Sequence, residues 1–375
     1  MTKQLAISPE HERCPCGLFS VDECQGADEF YAANDEPLLL HNNAGSPAAF
    51  ADNPYYKAAF QRVKMPLLAT YINPNDLQYP HEVVPKLRDV IAIREQIDDH
   101  LALTFWSGGY AFLQAFFPKL FPALTMFISG DFVGYLRTAD CSKTCDKAAT
   151  IPQLIEQISL MQPEAVAFTN IESNPSLIPI NGVELAREIR RVSPKTIIIL
   201  DDVYGRHAGN DLSVNKLALE DERLIYLRCA SKDTGAVGLR MAWTITKPGG
   251  VMDNLLKSLH TPYEVSSIVA SICAELYKHN DAIDEVVGKQ CSARTWLTHH
   301  LRKEGIEVRA GKSPWVLIRP RIDADEATRK LATRNIHVQS QTGIHPSLSG
   351  YIRVSTTICA EMKRFFDTAK EEGVI

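Results

Sequence analysis

The chain has 375 residues, 45% of them hydrophobic and 23% charged, with a formal net charge of −5. That length supports one large core with a smaller one attached, or two modest domains, and the scattered Lys and Arg side chains form no run dense enough for a nucleic-acid footprint. No apolar stretch reaches the roughly 20 residues of a membrane-spanning helix, and MTKQLAISPEHER lacks a basic-then-apolar signal pattern, so a cytoplasmic protein without nucleic-acid or membrane partners is expected.

In chain order, the polar stretch before Pro37 reads as an arm, placed at residues 1–50 and expected to join a smaller domain. It carries Cys14-Pro-Cys16 and Cys24, three thiols without the Cys-x2-Cys spacing or the fourth ligand of a zinc site, and no metal is expected. The nine cysteines, at 14, 16, 24, 141, 145, 229, 273, 291 and 359, are too dispersed for a disulfide framework. From about residue 100 short β-branched runs predict strands: ALTMFI (123–128), EAVAFTN (164–170), TIIILDD (196–202) and RLIYLRC (223–229). They alternate with helical stretches such as 151–161 and 182–192. Apolar strands separated by helices define an α/β domain with a mainly parallel sheet, placed at 51–285, with its ligand at the carboxyl ends of the strands. Beyond it, a helical stretch (291–304), then SPWVLIRP, NIHVQS and YIRVSTT, and an amphipathic closing helix predict a smaller α+β domain over 286–375.

Four successive elements of the large domain end in polar groups. LTFWSGGYAFLQAFF passes through Ser107-Gly108-Gly109 into a helix, AVAFTNIESNPS ends in Asn174-Pro175, TIIILDDVY delivers Asp201, Asp202 and Tyr204, and RLIYLRCASK ends in Ser231-Lys232. Singly, each has a plain structural reading: a helix cap, a turn, a close packing point, a solvated strand end. Jointly they meet the needs of pyridoxal phosphate. A lysine condenses with the aldehyde, an aspartate keeps the pyridine nitrogen protonated so that the ring accepts electrons, and a helix N-terminus with a serine takes the phosphate.

The run Ser231-Lys232-Asp233-Thr234-Gly235-Ala236-Val237-Gly238-Leu239-Arg240-Met241-Ala242-Trp243 resembles the lysine motif S-K-x-x-G-L-A-G-L-R-x-G-Y of fold-type I pyridoxal-phosphate enzymes. Within them it is most similar to the histidinol-phosphate aminotransferase branch of the class I/II aminotransferase superfamily. The resemblance implies an aspartate aminotransferase-like large domain with a mixed, mostly parallel seven-stranded sheet. It also implies roles for individual residues. Lys232 is the Schiff-base lysine and proton shuttle, Asp201 the partner of the pyridine nitrogen, and Tyr204 and Asn174 the contacts of the ring 3-oxygen. Ser231, Arg240 and the backbone around Gly109 and Tyr110 bind the phosphate, and Phe132, in GDFVGYLRTA, stacks on the ring. Tyr79, in LQYP, reaches the neighbouring subunit's phosphate, which implies a homodimer with shared active sites. Arg353, in YIRVSTT, grips the carboxylate of an amino acid substrate, a task suited to a bidentate fork.

The same motifs depart from the family pattern. Glu172-Ser173-Asn174-Pro175-Ser176-Leu177 stands for P-N-N-P-T-G, Asp202 replaces a glutamate, and Asn335-Ile336-His337-Val338-Gln339 stands for G-I-x-V-R. Gln339 in place of that arginine argues against histidinol phosphate as the substrate. His207 is expected in a surface loop rather than as a second acid/base. The resemblance implies an aminotransferase passing an amino group to a 2-oxo acid. The alternative is a lyase or cyclodehydratase that eliminates a β- or γ-group from a hydroxylated, arginine-derived amino acid, and the retained Lys232 disfavours a non-catalytic cofactor-binding regulator.

Overall fold

The computed structural model describes residues 38–40, 83–97, 102–120, 124–128, 130–139, 144–148, 150–209, 212–260 and 264–375. Tyr79, the Cys14/Cys16/Cys24 cluster and most of the arm lie outside the described residues.

Seven strands form the large sheet: β1 (Leu103–Trp106), β2 (Thr125–Ile128), β3 (Thr144–Ala148), β4 (Ala165–Thr169), β5 (Ile197–Asp201), β6 (Leu224–Cys229) and β7 (Ala242–Ile245), in the spatial order β1-β7-β6-β5-β4-β2-β3. β7 runs antiparallel to both neighbours and the other pairs are parallel, so the sheet is mixed and mostly parallel, as expected. Apart from the edge strand β3, its strands read as largely apolar runs because helices cover both faces. Val166, Phe168, Ile198, Leu200, Leu224 and Tyr226 point to one core. Ala165, Ala167, Ile197, Ile199, Ile225 and Leu227 point to the other. This period-2 alternation decides which residues can reach a site on either face.

The first core holds helices α1 (Val83–Glu95) and, farther along the chain, α3 (Ile151–Met161) and α4 (Gly182–Val192), while α2 (Gly109–Leu120) lays Phe112, Phe116 and Phe117 on the second. Local chemistry sets their starts: Thr150 Oγ1 accepts from Gln153 N (3.4 Å) and Asn181 Oδ1 from Glu184 N (3.2 Å). α5 (Ser267–Tyr277) packs on α1.

α6 (Asn280–Lys303) starts well before the stretch read from sequence. Its first turns carry acidic residues and Gly288, a weak helical signal alone, but Ile283, Val286 and Val287 anchor them in the first core. The same helix continues with Trp296, Leu297 and Leu301 into a further core. That core lies under an antiparallel four-stranded sheet, β8 (Glu307–Ala310), β9 (Trp315–Arg319), β10 (Gln339–Ser340) and β11 (Ile352–Ser355), ordered β8-β9-β11-β10. α7 (Cys359–Glu371) closes it with Met362 and Phe365. Leu38–Leu39 pairs in parallel with Ile336–His337. Cys229, Cys273 and Cys291 are buried thiols outside any disulfide, whereas Cys359 is disulfide-bonded, a departure from the dispersed thiols expected. Among the described residues no helix is long and apolar enough to cross a membrane.

Candidate active site

Parallel pairing of β4, β5 and β6 brings their carboxyl ends to one edge, with Thr169 opposite Asp201 in the register. A cavity of about 190 Å³ opens there. It gathers Gly109, Tyr110, Phe132, Asn174, Asp201, Tyr204, Ser231, Lys232 and Arg240, that is, every residue expected to bind the cofactor except Tyr79.

Asp201 forms the floor. Its Oδ2 accepts from the Tyr135 hydroxyl (3.0 Å) and its Oδ1 from Val203 N (3.2 Å). Burial outweighs these donors and pushes its carboxyl up to about 7, with Asp131 and Asp202 adding to the effect. The floor therefore favours a cation above it.

Asp131 is the organiser of the wall. Its Oδ1 accepts from Phe132 N (2.8 Å), Asn174 N (2.8 Å) and Thr169 Oγ1 (2.6 Å), and its Oδ2 from Thr169 N (2.8 Å). One buried carboxylate thus fastens the loops carrying Phe132 and Asn174 to the end of β4. Asn174 Nδ2 lies 3.5 Å from the Tyr204 hydroxyl, and Lys232 Nζ stands 5.7 Å from the centroid of the Tyr204 ring.

Arg240 closes the opposite end. A Cβ on Gly108, whose φ is +97°, would come within 2.5 Å of Arg240 Nη2. Only glycine lets the guanidinium lie against the turn that opens α2, where a helix N-terminus and a cation together suit an anion.

Arg353 does not line the cavity itself but lies behind Tyr204. Its guanidinium stacks 4.0 Å from the Trp315 ring centroid, Trp315 lies 4.9 Å from Tyr204 between ring centroids, and Arg353 hydrogen-bonds to Tyr204. Arg353 is 4% exposed, yet its Nε and Nη2 have no hydrogen-bond partner among the described residues. Burial lowers its pKa to about 10, the signature of a cation that lacks its anion.

His207 corrects the sequence reading. It lies in the turn Gly205–Ala208 and is buried, not in a surface loop. Its Nε2 pairs with Gln290 (2.8 Å), and burial lowers its pKa to about 4. The turn is clamped to α6 because Arg206 binds Asp284 Oδ1 (2.7 Å) and Asn280 O (2.8 Å).

Asp131, Tyr135, Thr169 and Trp315 escaped the sequence reading. Tyr135 had a usable signal: it follows Phe132 by three residues, one helical turn on the same face. The others depend on contacts between distant segments.

The family model described as aminotransferase class I and II matches residues 136–367, and the chain belongs to that family. Among curated relatives, a histidinol-phosphate aminotransferase of Clostridium novyi is 29% identical over 214 residues, 56% of this chain and 56% of the relative. An aromatic amino acid aminotransferase of Cutibacterium acnes is 23% identical over 192 residues, 49% of this chain and 53% of the relative. The chain spans about three fifths of the length of the first curated relatives it matches, 56 to 61%. Two solved structures share its fold: histidinol-phosphate aminotransferase from Sinorhizobium meliloti in complex with pyridoxal-5'-phosphate (TM-score 0.76, 16% identity, 90% of each chain) and L-threonine-O-3-phosphate decarboxylase from Porphyromonas gingivalis (TM-score 0.73, 16% identity, 89% of this chain and 98% of that one).

Proposed function

We propose that this protein is a pyridoxal-phosphate-dependent aminotransferase acting at Cα of an amino acid, with a 2-oxo acid as acceptor. The observation that carries the reading is the convergence of Lys232, Asp201 and Arg240 in one cavity of about 190 Å³, with the buried Arg353 behind Tyr204, its Nε and Nη2 without a hydrogen-bond partner among the described residues. The donor set fits pyridoxal phosphate at three points. A protonated ring nitrogen relieves the buried Asp201 carboxylate, Arg240 with Ser231 and the start of α2 offers an anion site, and the Asn174–Tyr204 pair supplies donors for the ring oxygen.

When bound, the cofactor supplies the electron sink for Cα chemistry. The chain supplies the rest. Lys232 Nζ would hold the cofactor's aldehyde carbon and would carry the substrate's Cα proton. Asp201, kept in place by Tyr135 and Val203, holds the proton on the ring nitrogen. Arg353 orients the substrate carboxylate, and its guanidinium plane is already fixed on Trp315. Gln339, opposite Arg353 in the β10–β11 register, supports a substrate without a phosphate. The same reading takes in a homodimer sharing Tyr79 between sites, a cytoplasmic location, and the division into an arm (1–50), a large domain (51–285) and a small domain (286–375).

Purified protein loaded with pyridoxal phosphate should show a visible absorption band that converts to the pyridoxamine form with an amino acid and returns with a 2-oxo acid. Lys232→Ala should leave no cofactor attached after borohydride reduction. Recovery of the band without any oxo acid would replace transamination with elimination. Absence of a band in the wild type would overturn the reading.

A further inference from the structure

A five-charge cluster lies buried behind the site, on the other face of the sheet, and no step above uses it. Alternation along β6 sends Leu227 and Cys229 to the cavity and Arg228 to the opposite core. There Arg228, with no exposed surface, donates from Nη1 to Asp202 Oδ2 (3.1 Å) and to Asp202 O (3.0 Å). Its Nη2 stands 3.7 Å from Asp233 Oδ2 and its Nε 3.5 Å from Glu95 Oε1. Arg94, from α1, completes the set, with Nη2 at 2.5 Å from Asp233 Oδ2.

We propose that Arg228 is a positioning residue for the cofactor pocket: it ties Asp202 to Asp233, the residues that directly follow Asp201 and Lys232, and thereby sets the two site residues against each other. The inference rests on the pyridoxal-phosphate reading of the site.

Three observations carry it. First, a single side chain reaches the backbone neighbours of both site residues, although 31 positions separate Asp202 from Asp233 in the sequence. Second, the same pair supports Tyr204. A Cβ on Gly205 would collide with Arg228 Nη1 and Asp202 Oδ2, so the turn after Tyr204 is moulded on the ion pair. Third, the cluster is an expensive way to fill a core. Desolvating charged groups is costly, and apolar side chains of similar volume often stabilise as well or better.

The surrounding groups keep the carboxylates fixed. Tyr226 donates to Asp202 Oδ2 (2.6 Å), Asn170 to Asp202 Oδ1 (3.0 Å), and Tyr277, from α5, to Asp233 Oδ2 (3.3 Å). Burial pushes the proton affinity of Asp233 up, but Arg94, Arg228 and Arg206 outweigh it and hold the carboxyl below its usual range. An arginine suits the post because its planar fork addresses two acceptors in different directions, which an ammonium cannot do with fixed geometry.

The test uses full-length protein: wild type, Arg228→Lys, Arg228→Gln and Asp233→Asn. Three properties are measured: thermal unfolding without cofactor, the dissociation constant for pyridoxal phosphate, and the pH midpoint of the visible band of the loaded protein. Arg228→Lys retains the buried charge and should unfold near the wild-type temperature, yet bind pyridoxal phosphate about tenfold more weakly. Arg228→Gln leaves negative charge uncompensated beside Lys232 and should raise the midpoint by about one pH unit, whereas Asp233→Asn should lower it. A purely structural role would lower the unfolding temperature without moving the midpoint in opposite directions. Folded variants with wild-type affinity and midpoint overturn the inference, and if Arg228→Gln does not fold, the other two variants decide. A wild type that binds no pyridoxal phosphate overturns the functional reading, and this inference with it.

Discussion

Two side chains at the site carry charges that the protein itself leaves uncompensated, and each makes a testable demand. Arg353 is buried, and two of its nitrogens, Nε and Nη2, have no hydrogen-bond partner among the described residues, so its complement is an anion from outside. Arg353→Ala should raise KM for the amino donor about a hundredfold, the equivalent of ~3 kcal/mol for one lost buried charge pair, with a smaller change in kcat; steady-state kinetics checks this, and an unchanged KM removes Arg353 from carboxylate binding. Asp201 makes the opposite demand. Burial raises its carboxyl from an ordinary 3.8 to about 7, so between these values the folded state binds more protons than the unfolded chain. Stability contributed by this group is therefore present at low pH and is lost as pH rises through the folded value. Cofactor-free protein should lose a few kcal/mol between about pH 4 and pH 7 relative to Asp201→Asn. Thermal unfolding of both proteins across that range, read as a difference, cancels the contribution of His207, whose lowered pKa acts with the opposite sign in the same window. Parallel curves would show that Asp201 does not change its proton occupancy there.

At the scale of elements, the turns after β5 and β6 matter more than the strands, because they aim Tyr204 and Lys232. The turn at 205–208 is held from two sides, by Arg206 on α6 and by the Arg228–Asp202 pair under Gly205. Gly205→Ala should cost about 1–3 kcal/mol through overpacking and weaken cofactor binding, measurable by denaturant titration and by spectral titration; wild-type stability would mean that the ion pair yields easily. The strand ends were legible in sequence because β-branched runs such as TIIILDD name themselves. Strands β1 and β7 were not, since four-residue apolar runs next to helices lack a distinguishing period.

At the scale of the molecule, the large and small sheets meet beside the cavity. Glu172 accepts from Lys312 N (3.1 Å) and Ser313 N, Trp315 Nε1 donates to Pro175 O (3.2 Å), and Arg294 Nη1 donates to Ser313 O (3.0 Å). These contacts join the loop carrying Asn174 to the strand that supports Arg353, so they set the distance between the cavity and Arg353. Glu172→Ala leaves buried N–H groups unpaired and should cost about 1–3 kcal/mol, with KM for the amino donor rising more than the dissociation constant for pyridoxal phosphate. Differential scanning calorimetry with both titrations checks it; equal losses at the two sites would mean that Glu172 serves stability alone.

The sequence by itself determined the α/β class, the places where strands end in polar groups, and the lysine motif around Lys232, because these depend on local periodicity and on residues close together in the chain. Only the tertiary structure decided that Tyr135 and Asp131 brace the cavity, that His207 is buried, and that Arg228 reaches Asp202 and Asp233 together. Each of those depends on which face of the sheet a side chain takes and on which distant segment meets it there, and burial then fixes its charge and partners.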